Sequence, residues 1–116
     1  MPNVAPEGTN TSAYIVIFLE IHNPLTISGQ FCLSEGIAYA PAIDFYPGTI
    51  SNRGSSLGNY SLGDNLSTSL QSYTIDVASK NFSKTPNVIA IMVQLNHSNG
   101  HDVRITLDQL SVNYAC

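Results

Sequence analysis

Apolar positions along the chain recur with a period of two or fall in unbroken β-branched runs, and no stretch carries the 3.6-residue period of a helix. Residues 13–22, AYIVIFLEIH, are apolar at nearly every position and end at Asn23-Pro24, which predicts a central strand buried on both faces. Leu25, Ile27, Gly29, Phe31 and Leu33 then alternate with Thr26, Ser28, Gln30, Cys32 and Ser34, the pattern of a strand with one wet face. Ile37, Tyr39, Ile43 and Phe45 suggest a further strand, which Pro41 places at an edge or interrupts. Tyr73, Ile75 and Val77 repeat the alternation.

Residues 82–112, FSKTPNVIAIMVQLNHSNGHDVRITLDQLSV, read as a complete β-hairpin. Val88, Ile89, Ile91, Val93 and Leu95 supply a run of strand length, and Asn99-Gly100 can adopt the positive φ angles of a tight turn. Val103, Ile105 and Leu107 alternate with Arg104, Thr106 and Asp108, so these three polar side chains share the outer face. The next apolar set, Leu110, Val112 and Tyr114, follows after a step of three, which predicts a β-bulge or strand break near Asp108 and Gln109. The expected fold is all-β, an antiparallel two-layer β-sandwich, with strands near 13–22, 25–34, 72–78, 87–96 and 102–114. Ile15, Ile17, Leu33, Ile75, Ile91, Val93, Ile105 and Leu107 are the expected core.

Between Pro47 and Ser72 lies a Gly, Ser and Asn-rich stretch in which SLGNY is followed at once by SLGDN. It is too long for a structureless loop, so it is read as a functional loop or as short edge strands around Tyr60 and Leu66. Its Asn, Asp and Tyr side chains, with Arg53, have the amide, carboxylate and ring chemistry that suits sugar hydroxyls and pyranose faces. A solvated polar loop is the plainer alternative.

A length of 116 residues suits one domain, 1–116. Charged residues make up only 10%, against roughly 25% in ordinary soluble proteins, so the surface is rich in hydroxyls and amides. With a net charge of −4 and the only Lys and Arg at 53, 80, 84 and 104, no run of phosphates can be neutralised, which argues against nucleic acid. Neither a membrane anchor nor a basic n-region with an apolar core is found near MPNVAPEGTNTS. Five Asn-x-Ser sequons begin at Asn10, Asn59, Asn65, Asn81 and Asn96; a secreted or extracellular-surface protein is expected, although a chain so rich in Asn and Ser also produces sequons by chance. Cys32 and Cys116 could close one large loop, reach another subunit or remain free thiols.

Catalytic motifs are missing: no Gly-x-Ser-x-Gly, no Cys-x-x-Cys, no phosphate loop and no paired carboxylates, so an enzyme is not expected. His97, His101 and Asp102 flank the expected turn, but such spacing in a polar turn is a poor metal signal, and no metal site is assigned.

An aromatic residue at Phe82, then Pro86, Val88, Leu95, Arg104 and Val112, fall in an order and spacing similar to the core of H-type lectins, the N-acetylgalactosamine-binding β-sandwich domains of snail agglutinins and slime-mould discoidins. The likeness covers about residues 73–112, and it implies that Arg104 lies in a sugar site. The family's Trp-containing site motif has no counterpart, since the chain holds no Trp. LDQLSV after a long apolar strand, with AYIVIFLEIHNP and FCLSEG earlier, also resembles jelly-roll carbohydrate-binding modules of the galactose-binding-like type. Both resemblances imply a non-catalytic sugar-binding protein for glycans of N-acetylgalactosamine or galactose type. They also imply a homo-oligomer, a trimer by analogy with H-type lectins, and leave room for a structural calcium at Glu20 or Asp108. The expected carbohydrate-binding residues are Arg104, Thr106 and Asp108, with Asn96, His97 and His101 of the turn and Tyr60 of the polar stretch. A surface arginine paired with Asp102 or Asp108 is the plainer role for Arg104. The competing class is a structural sandwich of a capsid, filament or cell coat that binds copies of itself.

Overall fold

The computed structural model describes residues 10–34, 37, 39–65, 67–98 and 104–115, and for residues 10–13 and 96–98 the backbone alone. Seven strands follow in chain order: β1 (Asn10–Glu20), β2 (Thr26–Leu33), β3 (Ala42–Tyr46), β4 (Gly58–Ser61), β5 (Gln71–Asp76), β6 (Val88–Ser98) and β7 (Ile105–Asn113). They form two antiparallel sheets, one ordered β1-β6-β3-β4 and the other β5-β2-β7. No helix occurs among the described residues. Ile27, Phe31, Leu33 and Ile75 of the three-stranded sheet meet Ile43, Phe45, Ile89 and Ile91 of the four-stranded one in a single core, as in a β-sandwich. Each such side chain taken fully out of water contributes roughly 1.5–3 kcal/mol.

Strand β2 keeps the alternation of its sequence without a break: Ile27, Phe31 and Leu33 are buried, while Thr26, Ser28, Gln30 and Cys32 are half-buried on the other face. Strand β7 has the expected irregularity. Ser28 pairs with Ser111 and Gln30 with Asp108, so Gln109 and Leu110 together oppose Gly29, and Gln109 takes a positive φ of 53°. This bulge returns Val112 to the core side opposite Ile27.

The run buried on both faces belongs to β6, not to β1. Val88, Ile89, Ala90, Ile91 and Val93 are all buried, with β1 on one side of the strand and β3 on the other. The expectation that residues 13–22 lie centrally is corrected: β1 is an edge strand, and Ile15 and Ile17, expected in the core, are 47% and 41% exposed. A three-stranded layer cannot cover all four strands facing it, and the uncovered strand is the outermost one. Leu107 is likewise exposed on edge strand β7, whereas Leu33, Ile75, Ile91 and Val93 are buried and Ile105 packs against the cluster.

The hairpin expected over 82–112 does not form. β6 pairs with β1 and β3 in one sheet and β7 pairs with β2 in the other, so the chain crosses between layers; the Asn99-Gly100 turn lies outside the described residues. A strand apolar on both faces is best placed with neighbours on both edges and layers on both sides, and β7, apolar on one face only, cannot give it that. Pro41 neither interrupts a strand nor marks an edge: it stands just before β3, an interior strand, and its C=O accepts the Leu62 N–H at 2.9 Å. Of the short edge strands expected in the polar stretch, β4 forms around Tyr60, while Leu66 lies outside the described residues.

Candidate functional site

The register of the four-stranded sheet sets its outward side chains in rows. Phe18, Ala90, Asp44 and Asn59 form one row across the four strands, and Val16, Met92, Ala42 and Ser61 form the next. Tyr14 and Gln94 begin a third.

The 47–57 connection folds back over the first row. Its turn is tied by Gly48 N–H to the Arg53 carbonyl at 2.9 Å and Thr49 N–H to the Asn52 carbonyl at 3.0 Å. Arg53 donates from Nη1 to the Ile50 carbonyl at 2.9 Å, and its guanidinium lies 4.1 Å from the centre of the Phe18 ring and 5.6 Å from that of Tyr46. Beneath it Asp44, 9% exposed, accepts from the Tyr46 hydroxyl at 3.0 Å and the Ser56 hydroxyl at 2.8 Å. Burial, the bond to Asp44 and the Asp44 charge all push the Tyr46 phenol above its usual range, and Arg53 pulls the other way. This cover explains why Val88 and Ala90, on the outer face, are nonetheless 0% and 2% exposed.

Past the edge of that cover the sheet opens into a groove of about 330 Å³, within the roughly 300–1,000 Å³ of small-molecule sites. Ala40 and Ala42 are the small apolar side chains of its lining. Tyr14 stands on the β1 side, 67% exposed, and Tyr39 comes from the segment leading into β3, 49% exposed. That segment is fixed by the Ala40 N–H, which donates to the Asn65 side-chain oxygen at 2.8 Å. The Asn65 amide nitrogen is left as a donor end. Ser61 gives its proton to the Gly63 carbonyl at 3.1 Å and keeps acceptor capacity, while Asn59 directs its amide nitrogen at the Met92 sulfur, 3.8 Å away, and keeps its oxygen. Gln94 completes the polar lining, and among the described residues no Asp, Glu, Lys or Arg lines the groove. Two exposed rings with amides and hydroxyls between them can stack on an apolar ring face and satisfy vicinal hydroxyls.

The expected site residues are divided between layers. Arg104, Thr106 and Asp108 lie together along the outer face of the three-stranded sheet, all exposed. There Thr106 is paired with Cys32 and Asp108 with Gln30; Asp108 accepts the Gln109 N–H at 2.8 Å, the Arg104 carbonyl accepts the Ser34 N–H at 2.9 Å, and the Arg104 N–H donates to the Ser34 hydroxyl oxygen at 2.7 Å. Asn96 and His97 belong to β6 in the other sheet, where their backbones face Ser12 and Thr11; their side chains, and His101 and Asp102, lie outside what is described. Tyr60 is turned to the core side, edge-on to Phe45 at 5.7 Å and Phe82 at 6.4 Å, with the Lys80 ammonium 4.0 Å from its ring centre. Its strand neighbours Asn59 and Ser61 are the ones that face the groove. Asn59 and Asn65 are legible in the sequence as polar side chains of a sugar-suited stretch, whereas Tyr14, Tyr39 and Gln94 are legible there only as parts of strands. Which face a strand residue presents depends on its partners, and the one local hint was a tyrosine placed among Thr11, Ser12 and Ala13.

A second depression, about 260 Å³, lies at the Pro24 and Pro86 end and carries Lys80, Lys84 and Asn81. Glu20 and Asp108, considered as calcium ligands, are on strands of different sheets, and no cluster of three or more His, Cys, Asp or Glu occurs among the described residues. Among the described residues Cys32 is a free cysteine, and its Sγ–H points to the Thr68 carbonyl at 3.4 Å; Cys116, its expected partner in one reading, lies outside the described residues. Among the described residues no helix is long and apolar enough to cross a membrane. No family model, curated protein or solved structure matches the chain.

Proposed function

We propose that the protein is a non-catalytic carbohydrate-binding protein, working outside the cell or at its surface, whose sugar site is the groove between Tyr14 and Tyr39. The observation that carries the reading is the groove's lining: two exposed tyrosine rings, Asn59, Ser61, Asn65 and Gln94, and among the described residues no charged side chain. Such a lining suits a neutral saccharide, since a sialylated, sulfated or phosphorylated one would meet no counter-charge. The similarity of residues 73–112 to H-type lectins supports sugar binding, with galactose or N-acetylgalactosamine as the first ligands to try. It favours the Arg104, Thr106 and Asp108 face as a rival site.

A glycan array of the purified protein tests the class, and titration with the best glycan tests the site. Tyr39→Ala is expected to weaken binding by about tenfold, the effect of losing one stacking ring, while Arg104→Ala stays within about twofold. The reverse pattern would move the site to the outer face of the three-stranded sheet. An array with no selective glycan would favour the structural class, a sandwich that binds copies of itself, for which the exposed apolar residues of β1 are the specific support.

A further inference from the structure

Among the described residues four strand edges are open, and three carry ordinary safeguards against pairing with another chain. β4 is only four residues long, β7 is bent by the bulge at Gln109, and β5 is short and ends in Asp76. β1 has none of these. It runs eleven residues in unbroken register with β6, contains no proline, and carries no charge before Glu20, its last residue. From Tyr14 to Ile17 its exposed side chains are apolar on both faces, Tyr14 at 67% and Val16 at 42% outward, Ile15 at 47% and Ile17 at 41% toward the other sheet.

The backbone of that edge is oriented for pairing. Ile21 N–H donates to the Asn87 carbonyl at 2.9 Å, one step beyond the last strand pair and in the same register. In an antiparallel ladder alternate residues bond to the same neighbour, so odd-numbered residues of β1 bond to β6. Tyr14, Val16 and Phe18 therefore turn N–H and C=O to the open side.

We propose that two copies of the chain pair through β1, antiparallel and about a twofold axis near Val16, joining their four-stranded sheets into one continuous sheet. A second copy suits this edge because the strand is complementary to itself: about Val16, Ile15 meets the partner's Ile17 and Tyr14 meets the partner's Phe18. The net charge of −4 does not oppose it, since Asn10 to Leu19 are uncharged. The four exposed side chains offer on the order of 400 Å² per copy, and with backbone and flanking residues the pair reaches the roughly 1,000–1,200 Å² at which specific interfaces begin. The twofold stands perpendicular to the sheet, so both Tyr14–Tyr39 grooves open on one side, the arrangement that gives avidity on a multivalent surface. The pairing rests on the strand edge alone and holds whether or not the groove binds sugar.

Sedimentation equilibrium at micromolar concentration should give about twice the chain mass of 12.5 kDa. Val16→Lys, which places a charge on the edge, and Val16→Pro, which removes only an outward N–H, should each return the mass to that of one chain while circular dichroism stays β-rich. Amide exchange of the unaltered protein is the reading that needs no variant: N–H groups of Tyr14, Val16 and Phe18 should lose protection on dilution, while those of Ile15 and Ile17 keep it. A single-chain or threefold mass, open-ended assembly, or protection at the even positions that dilution leaves unchanged would each overturn the proposal.

Discussion

The Arg53 guanidinium lies 4.1 Å from the centre of the Phe18 ring, and this contact joins the polar 47–57 connection to the edge strand of the four-stranded sheet. It decides how much of the sheet's outer face is covered. On one side of it Val88 and Ala90 are sealed; on the other Tyr14, Met92 and Ala42 line an open groove.

Arg53→Ala should therefore lower stability by about 1–2 kcal/mol, the size of a partly desolvated cation–π contact, as read by denaturant unfolding. Arg53→Lys should recover only part of that, because an ammonium cannot stack as a planar guanidinium does. A loss below about 0.3 kcal/mol for the alanine variant would mean that the connection is held by Asn87, whose side chain donates to the Pro47 carbonyl at 2.8 Å, and not by Arg53.

Two phenols should titrate late in alkali. Burial raises the pKa of Tyr46, helped by the bond to and charge of Asp44, and burial raises that of Tyr73. Below the ordinary value of 10.0 both are neutral folded or unfolded, so neither contributes to pH dependence there. Above it the unfolded chain loses these protons first, and stability falls with rising pH until the folded phenols ionise too. Phenolate absorbance should show Tyr46 and Tyr73 ionising above the ordinary phenol value. Asp44→Asn should bring Tyr46 down, and Arg53→Ala should push it further up. Loss of the Tyr46 and Tyr73 protons at the ordinary phenol value would contradict this.

Gly29 is fixed by its neighbour across the sheet. A Cβ there would stand 2.5 Å from the Tyr73 hydroxyl oxygen and 2.8 Å from Cζ, so the ring lies over the glycine. Gly29→Ala should lower stability by about 1–3 kcal/mol, as overpacking does. Combining it with Tyr73→Phe removes the nearest atom and should restore part of the loss, with a coupling of at least about 0.5 kcal/mol in a double-mutant cycle. Strict additivity would show that the ring moves aside freely.

Two of the five sequons begin at Asn59 and Asn65, which line the groove. A glycan on either would fill it. Protein made in glycosylating cells with mass spectrometry showing occupancy at those sites should thus bind no saccharide through the groove, while protein from a host without N-glycosylation should. Asn81→Gln, which removes a sequon outside that groove, should change neither outcome. Equal binding by occupied and unoccupied protein would remove the groove as the sugar site.

Local chemistry alone determined that the chain is a β-sandwich. The two-residue alternation of 25–34 and the β-branched run beginning at Val88 are properties of neighbouring residues, and so is the three-residue step that announced the bulge at Gln109. Pairing was not local. Residues 13–22 and 88–95 are almost equally apolar, and only the packing of seven strands into layers of four and three decided that β6 lies inside and β1 at the edge. The Asn99-Gly100 dipeptide suggested a hairpin, but the burial gained by setting β6 between β1 and β3 outweighs a turn preference, and the chain crosses to the other sheet. The groove has the same origin. Tyr14, Tyr39, Asn59, Asn65 and Gln94 span eighty positions of the chain and meet because cross-strand register, invisible in any one segment, brings their outward faces together.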